Sequence, residues 1–274
     1  MTKNLPKPTV AILDLYNGAK NMGMANIQQI LTKNGFEFEV FDVRAKMEIP
    51  NGSHDLYIST GGPGSPYDGE GGEWENRYFK LIDKIWDHNQ TNEKKKHIFF
   101  ICHSFQMMVR HFDIGYVCKR KSMSFGVFPI HKTKEGESDV ILGTLADPFF
   151  AADFRHYQVV QPKDEKIAEL GGAILSLEKV RPHLDFERAI MAMRISPEFF
   201  GTQFHPEADP EGMKEYYRNP EKRAEIIEQH GENKYDSILN QLDEKDADSI
   251  LNTYNHLLPA FLTQSYNHLQ AFYS

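Results

Sequence analysis

Residues 97–111 read HIFFICHSFQMMVRH. His97 to Ile101 is an apolar run of strand length, and Ser104 to Phe112 reads as a helix. A strand that passes at once into a helix turns sharply, and the residue at the turn projects above the sheet edge. That residue is Cys102. Two readings stand open. Cysteine beside an apolar strand is commonly a packing residue. It is also a nucleophile in waiting, because a helix N-terminus favours the reactive thiolate. The amide of His103 would then donate to an oxyanion.

The same alternation runs outward along the chain. Val10 to Tyr16 predicts a buried strand, Ala25 to Leu31 a helix, and Phe36 to Val43 and Asp55 to Ser59 further strands. The loop TGGPGSPYDGEGG is too rich in Gly and Pro to continue any element. Glu73 to His88 then carries Trp74, Tyr78, Leu81, Ile82, Ile85 and Trp86 at helical spacing. This β–α order predicts an α/β fold: a mostly parallel open sheet with helices on both faces. The middle third holds strands with few helices between: Ser124 to Ile130, Phe154 to Val160, Ala173 to Leu177, Ala189 to Ile195 and Phe199 to Phe204. These extend the sheet or form an antiparallel flank.

After Glu207 the chain becomes charged and helical. Asp246 or Asp248 caps a last helix with a stripe of Ile250, Tyr254, Leu257, Leu258, Phe261 and Leu262, and Pro259 marks a kink or restart. The expected organisation is an α/β domain over residues 1–208 and a helical C-terminal extension over 209–274. That extension packs on the domain or on a partner, a second copy of the chain included.

Composition narrows the function. The 274 residues carry a formal net charge of −8, which argues against a nucleic-acid binder. KKK at 94–96 reads as a solvated flank. The two cysteines argue against a disulfide framework and fit a reducing cytoplasm. MTKNLPKPTV lacks the apolar stretch of a signal peptide, and no run reaches the ~18 residues of a membrane span. HExxH, CxxC and P-loop patterns are missing, so neither a metal nor a cofactor is expected.

Two further stretches belong with Cys102. Gly201-Thr-Gln-Phe-His-Pro-Glu207 ends a short strand in His205, with an acid two residues on. A cysteine nucleophile needs a base, and the base needs an orienter. Thr60-Gly-Gly-Pro-Gly-Ser65 follows a strand, where open parallel sheets bind ligands. Glycine there lets backbone amides approach a substrate. Alone, each stretch also reads as an ordinary turn or a surface His beside a helix cap.

Together, STGGPGSPYD, ICHSFQ and GTQFHPE resemble the three signature blocks of the class I, triad-type glutamine amidotransferases, over roughly residues 8 to 208. The glutaminase part of GMP synthase is the nearest general likeness. The resemblance implies a flavodoxin-like fold, with Cys102 as nucleophile, His205 as base and Glu207 as its orienter. It implies oxyanion amides from Gly62 and His103, and a glutamine site built with Gln106 and Gly61. His156, in Arg155-His156-Tyr157-Gln158, falls where the family often grips the amino acid end of the substrate. The implied substrate is glutamine, and the implied partner is a separate synthetase or acceptor subunit.

The family's glycines two residues before and after the nucleophile are here Phe100 and Ser104. Ser104 is small, whereas Phe100 is expected to crowd the turn. Two alternatives follow: a γ-glutamyl hydrolase or transferase acting alone, or a catalytically impaired binding module.

Overall fold

The structure, a computed structural model, describes residues 7–180, 187–243 and 246–272. The chain opens with β1 (Val10–Asp14), α1 (Met22–Lys33), β2 (Phe38–Asp42), β3 (Leu56–Ser59), α2 (Glu73–Thr91), β4 (His97–Ile101) and α3 (His103–Phe112). There follow β5 (Tyr116–Lys132), α4 (Lys134–Ser138), β6 (Phe149–Val160), α5 (Asp164–Glu169), β7 (Ala173–Glu178), β8 (Ile190–Arg194) and β9 (Phe199–Thr202). All of these strands join one sheet in the order β2-β1-β3-β4-β9-β8-β7-β5-β6.

The half from β2 to β9 is parallel, and every pairing from β9 to β6 is antiparallel. The sheet is therefore mixed, with the flavodoxin-like parallel part that its β–α alternation predicts. Of the five middle segments, Phe199–Thr202 joins β4 in parallel, and the others form the antiparallel flank. β5 begins earlier than its apolar run suggests, because a register shift between Lys119 and Ser124 lets a polar stretch stay paired with β6.

Side chains alternate across β1. Val10 and Ile12 face one core, with Ile27, Ile30 and Leu31 of α1. Ala11 and Leu13 face the other, with Tyr78, Leu81 and Ile82 of α2 and Phe105, Met108 and Val109 of α3. Burial on both faces explains why β4 is apolar at nearly every position.

Helices α6 (Pro210–Arg218) and α7 (Pro220–His230) each start with proline at the first helical turn, behind a capping side chain. Asp209 Oδ2 accepts from Gly212 N at 3.0 Å, and Asn219 Oδ1 from Glu221 N at 3.0 Å. With α8 (Glu232–Asp243) they bury Met213, Tyr217, Ile226, Tyr235, Ile238 and Leu242 against Val127 of β5 and Ala152 of β6. Helix α9 (Asp246–Phe272) runs through Pro259 without restarting. Its stripe of Tyr254, Leu257, Leu258, Phe261 and Leu262 lies in the same core as Val10, Ile12 and Phe99.

Phe261 is 1% exposed and meets Phe99 edge-on, with ring centroids 5.1 Å apart. Phe261→Ala is expected to destabilise the fold by about 3–5 kcal/mol. Urea unfolding followed by circular dichroism measures this, and a shift below 1 kcal/mol would show that α9 adds little to the sheet core.

Candidate active site

Cys102 is the single residue between β4 and α3. Its backbone sits at φ 48°, ψ −94°, a conformation that L-residues avoid and that costs about 1–3 kcal/mol. Hydrogen bonds on every side hold it there. Cys102 N donates to Thr202 O of β9 at 2.7 Å, and Gln106 N donates back to Cys102 O at 3.0 Å. Ser104 Oγ accepts from Ile101 N at 2.8 Å and donates to Ser59 O at 2.7 Å. Serine at this position thus ties the turn to the neighbouring strand β3.

Phe100 is fully buried in the core of α2 and α3, on the side of the sheet away from α1 and α9. It pairs in register with Gly201 of β9. A Cβ on Gly201 would lie 2.6 Å from Phe105 Cδ2 and 3.5 Å from Phe100 Cβ. The missing side chain on β9 makes the room that Phe100 and Phe105 occupy. The bulk of Phe100 is absorbed below the turn, and it does not line the cavity above.

His205 follows β9. Its amide donates to Ala152 O of β6 at 2.9 Å, in an isolated bridge that folds the edge strand back over the strand ends. His205 Nδ1 bonds Glu207 Oε1 at 2.8 Å. Glu207 is 1% exposed. Burial opposes a charge on His205, but the Glu207 carboxylate and the Cys102 sulfur outweigh it and raise the imidazole pKa well above its usual value. Cys102, His205 and Glu207 all line one cavity at the strand ends.

Other predicted residues fall around this set. Gly61 abuts His205: a Cβ there would lie 3.0 Å from His205 Cε1. At Gly62 a Cβ would lie 2.4 Å from Leu15 O, so only glycine fits. The His103 side chain is buried, with Nε2 lacking a partner. Burial, with Arg44 and Arg110 nearby, pushes its pKa down to about 3, so the ring stays neutral. Arg44 Nη1 donates to Pro63 O at 2.7 Å and Arg110 to Pro66 O, which pins the Gly- and Pro-rich loop. Gln106 is buried, and its Nε2 donates to Gln203 Oε1 at 3.1 Å and to Tyr157 O at 3.3 Å. His156 is exposed on β6, and neither Gln106 nor His156 lines the cavity. Arg155, beside it, is buried against Asp153.

Three contributors escaped the sequence reading. Gln203 Nε2 donates toward Cys102 Sγ at 3.7 Å, so Gln106 reaches the sulfur through Gln203. Phe154 O lies 3.9 Å from the same sulfur. Tyr16 lines the cavity, and its buried hydroxyl lacks a hydrogen-bond partner. Burial, then Glu207 and Cys102, raise its pKa well above 10, so it remains a donor. Its place just past β1 was the available signal, since such sheets bind ligands beyond their strand ends.

Cys102, His205, Glu207, Gly62 and Tyr16 form the floor of a cavity of about 670 Å3. Among the described residues, no group of three or more His, Cys, Asp or Glu side chains is arranged to hold a metal ion. No helix among them is long and apolar enough to cross a membrane.

Comparison with known proteins agrees with this fold. The sequence profile described as glutamine amidotransferase class-I matches residues 12–221. No curated protein matches the chain. A glutamine amidotransferase from Thermotoga maritima superposes with a TM-score of 0.68 at 16% identity, over 94% of this chain and 97% of that one. A glutamine amido transferase from Methylobacillus flagellatus gives 0.60 at 16% identity, over 97% and 93%. The CTPS glutaminase domain of Trypanosoma brucei, with bound acivicin, gives 0.52 at 15% identity, over 73% and 86%. These likenesses concern the fold. The family profile covers most of the chain, from β1 through the start of α7, and the chain belongs to the class-I glutamine amidotransferase family.

Proposed function

We propose that this chain is a glutaminase subunit, cleaving the side-chain amide of glutamine through a γ-glutamyl thioester on Cys102. The observation that carries this reading is the convergence of sulfur, imidazole and buried carboxylate on one cavity at the strand ends. His205 Nδ1 is held by Glu207 at 2.8 Å, and the Glu207 carboxylate and the Cys102 sulfur together raise the imidazole pKa. The raised pKa of His205 keeps a proton on the imidazole, ready for a leaving group.

The sulfur of Cys102 attacks the amide carbon of glutamine. The negative charge that develops on oxygen is held by the amides of Gly62 and His103. His205 gives its proton to the departing nitrogen, and ammonia leaves behind a thioester. Water then attacks the thioester and gives its proton to His205, and glutamate departs. Gln203 and Gln106 act as positioning residues for the sulfur. Helices α6–α9 are packed into the same cores as the sheet, so the site that consumes ammonia is assigned to a unit outside residues 7–272. The fold likeness to a glutaminase domain supports this division of labour.

A diazo-ketone analogue of glutamine tests the pocket directly. Peptide mass spectrometry should find one adduct, on Cys102, blocked by excess glutamine and lost in Cys102→Ser. The sulfur of Cys118 is occupied by Gln158 Nε2 at 3.7 Å and should stay unmodified. Equal labelling of both cysteines, or none, would remove the glutaminase reading. In turnover assays, His205→Ala is expected to lower kcat about 10²–10⁴-fold; a smaller loss would mean that another group moves the proton.

The charge balance gives a pH prediction. His205 is raised by folding, so its stabilising contribution is complete below the unfolded pKa of about 6.5 and is lost as pH rises through the raised value. In Glu207→Gln the opposing effect of burial should gain ground, and the His205 pKa should fall. Imidazole titration by NMR reads this shift, and an unchanged pKa would sink the assigned role of Glu207.

A further inference from the structure

The floor of the cavity is the Cys102 site, but its far wall is contributed by α6 and α7. Tyr216, Tyr217, Ile226 and Gln229 line it, together with Phe125 of β5 and Phe154 of β6. A volume of about 670 Å3 lies in the ~300–1,000 Å3 range that holds drug-sized ligands. A single amino acid fills only part of it. Ammonia, the leaving group of glutamine, needs no apolar compartment.

The chemistry of the wall selects an occupant. Phe125 stacks on His230 with ring centroids 4.1 Å apart, at 10°. Burial, with Lys234 and His156 nearby, lowers the His230 pKa, so this ring pair is neutral at neutral pH. Lys222 and Glu225 at the rim neutralise each other at 2.7 Å. Such a wall suits neither a polyamine nor an anionic peptide. It suits an uncharged aromatic group, which stacks on rings and buries apolar surface.

We propose that, besides glutamine, the Cys102 site accepts γ-glutamyl amides that carry a neutral arylalkyl group, whose amine portion this compartment binds. The proposal rests on the thioester chemistry assigned to Cys102 and names the substrate class of that site. The γ-glutamyl half lies at Cys102, and the aryl group lies against α6 and α7. Cys102 displaces the arylalkyl amine, which leaves with the proton of His205. Water then releases glutamate, so the amide and one water give one amine and one glutamate.

The test is binding to full-length Cys102→Ala, which cannot form the thioester. Isothermal titration compares γ-glutamyl phenethylamide with γ-glutamyl methylamide, two unactivated amides that differ in the aryl group. The phenethyl compound is expected to bind about tenfold or more tightly. Adding Tyr216→Ala, or Gln229→Trp to fill the compartment from an exposed position, should pull that ratio towards one. Equal affinities in the parent, or a ratio that survives both changes, would overturn the proposal. With wild-type protein, a tight phenethyl compound that releases no phenethylamine would uphold the compartment and refute the thioester chemistry instead.

Discussion

The strained backbone of Cys102 is the constraint on which the rest of the site depends. At φ 48° the chain stops being strand and becomes helix within one residue, and the sulfur emerges at the sheet edge. That conformation persists because its neighbours over-determine it. Thr202 on one side and Ser59 on the other take hydrogen bonds from the turn, so β3 and β9 both hold Cys102 in place. The central place of β4 in the parallel half is therefore a condition of the chemistry. An edge strand would lack one of those two anchors.

The antiparallel half completes what the parallel half begins. β6 returns to the strand ends, where Ala152 takes the His205 amide and the Phe154 carbonyl approaches Cys102. His205 and Cys102 are thus both touched by one strand that follows Cys102 in the chain by about half a hundred residues. Glu207, also buried, supplies the negative charge that makes a protonated imidazole tolerable away from water. The loop bearing Gly61 and Gly62 closes the other side, with Arg44 holding its Pro63 carbonyl.

Much of this was legible in the sequence because parallel strands buried on both faces read as unbroken apolar runs. The three signature stretches lie at the ends of such runs, so their convergence followed from the fold. What stayed hidden was non-local. The bulk of Phe100 seemed to threaten the turn, yet its compensation lies on β9, at Gly201. Gln106 suggested a pocket residue, but it pairs with Gln203, 97 positions away. The segment of helices α6 and α7 read only as charged and helical. Their few apolar residues nevertheless face the cavity, which no periodicity in a charged segment discloses. The stripe on α9 was plain, but only the tertiary structure says what it covers.

The position of α9 has a consequence for how the molecule comes into being on the ribosome. Tyr254 hydrogen-bonds Gln29 of α1 across 225 positions, and Phe261 closes over Phe99. The first strands and α1 emerge early, at ~5–20 residues per second, yet their outer face is covered by a segment made more than two hundred residues later. Until then that face is bare apolar surface, and the parallel sheet beneath it lacks its cover. The nascent chain is therefore a natural client for chaperones until α9 docks, and premature termination ahead of α9 leaves a sticky half-domain and not a smaller enzyme.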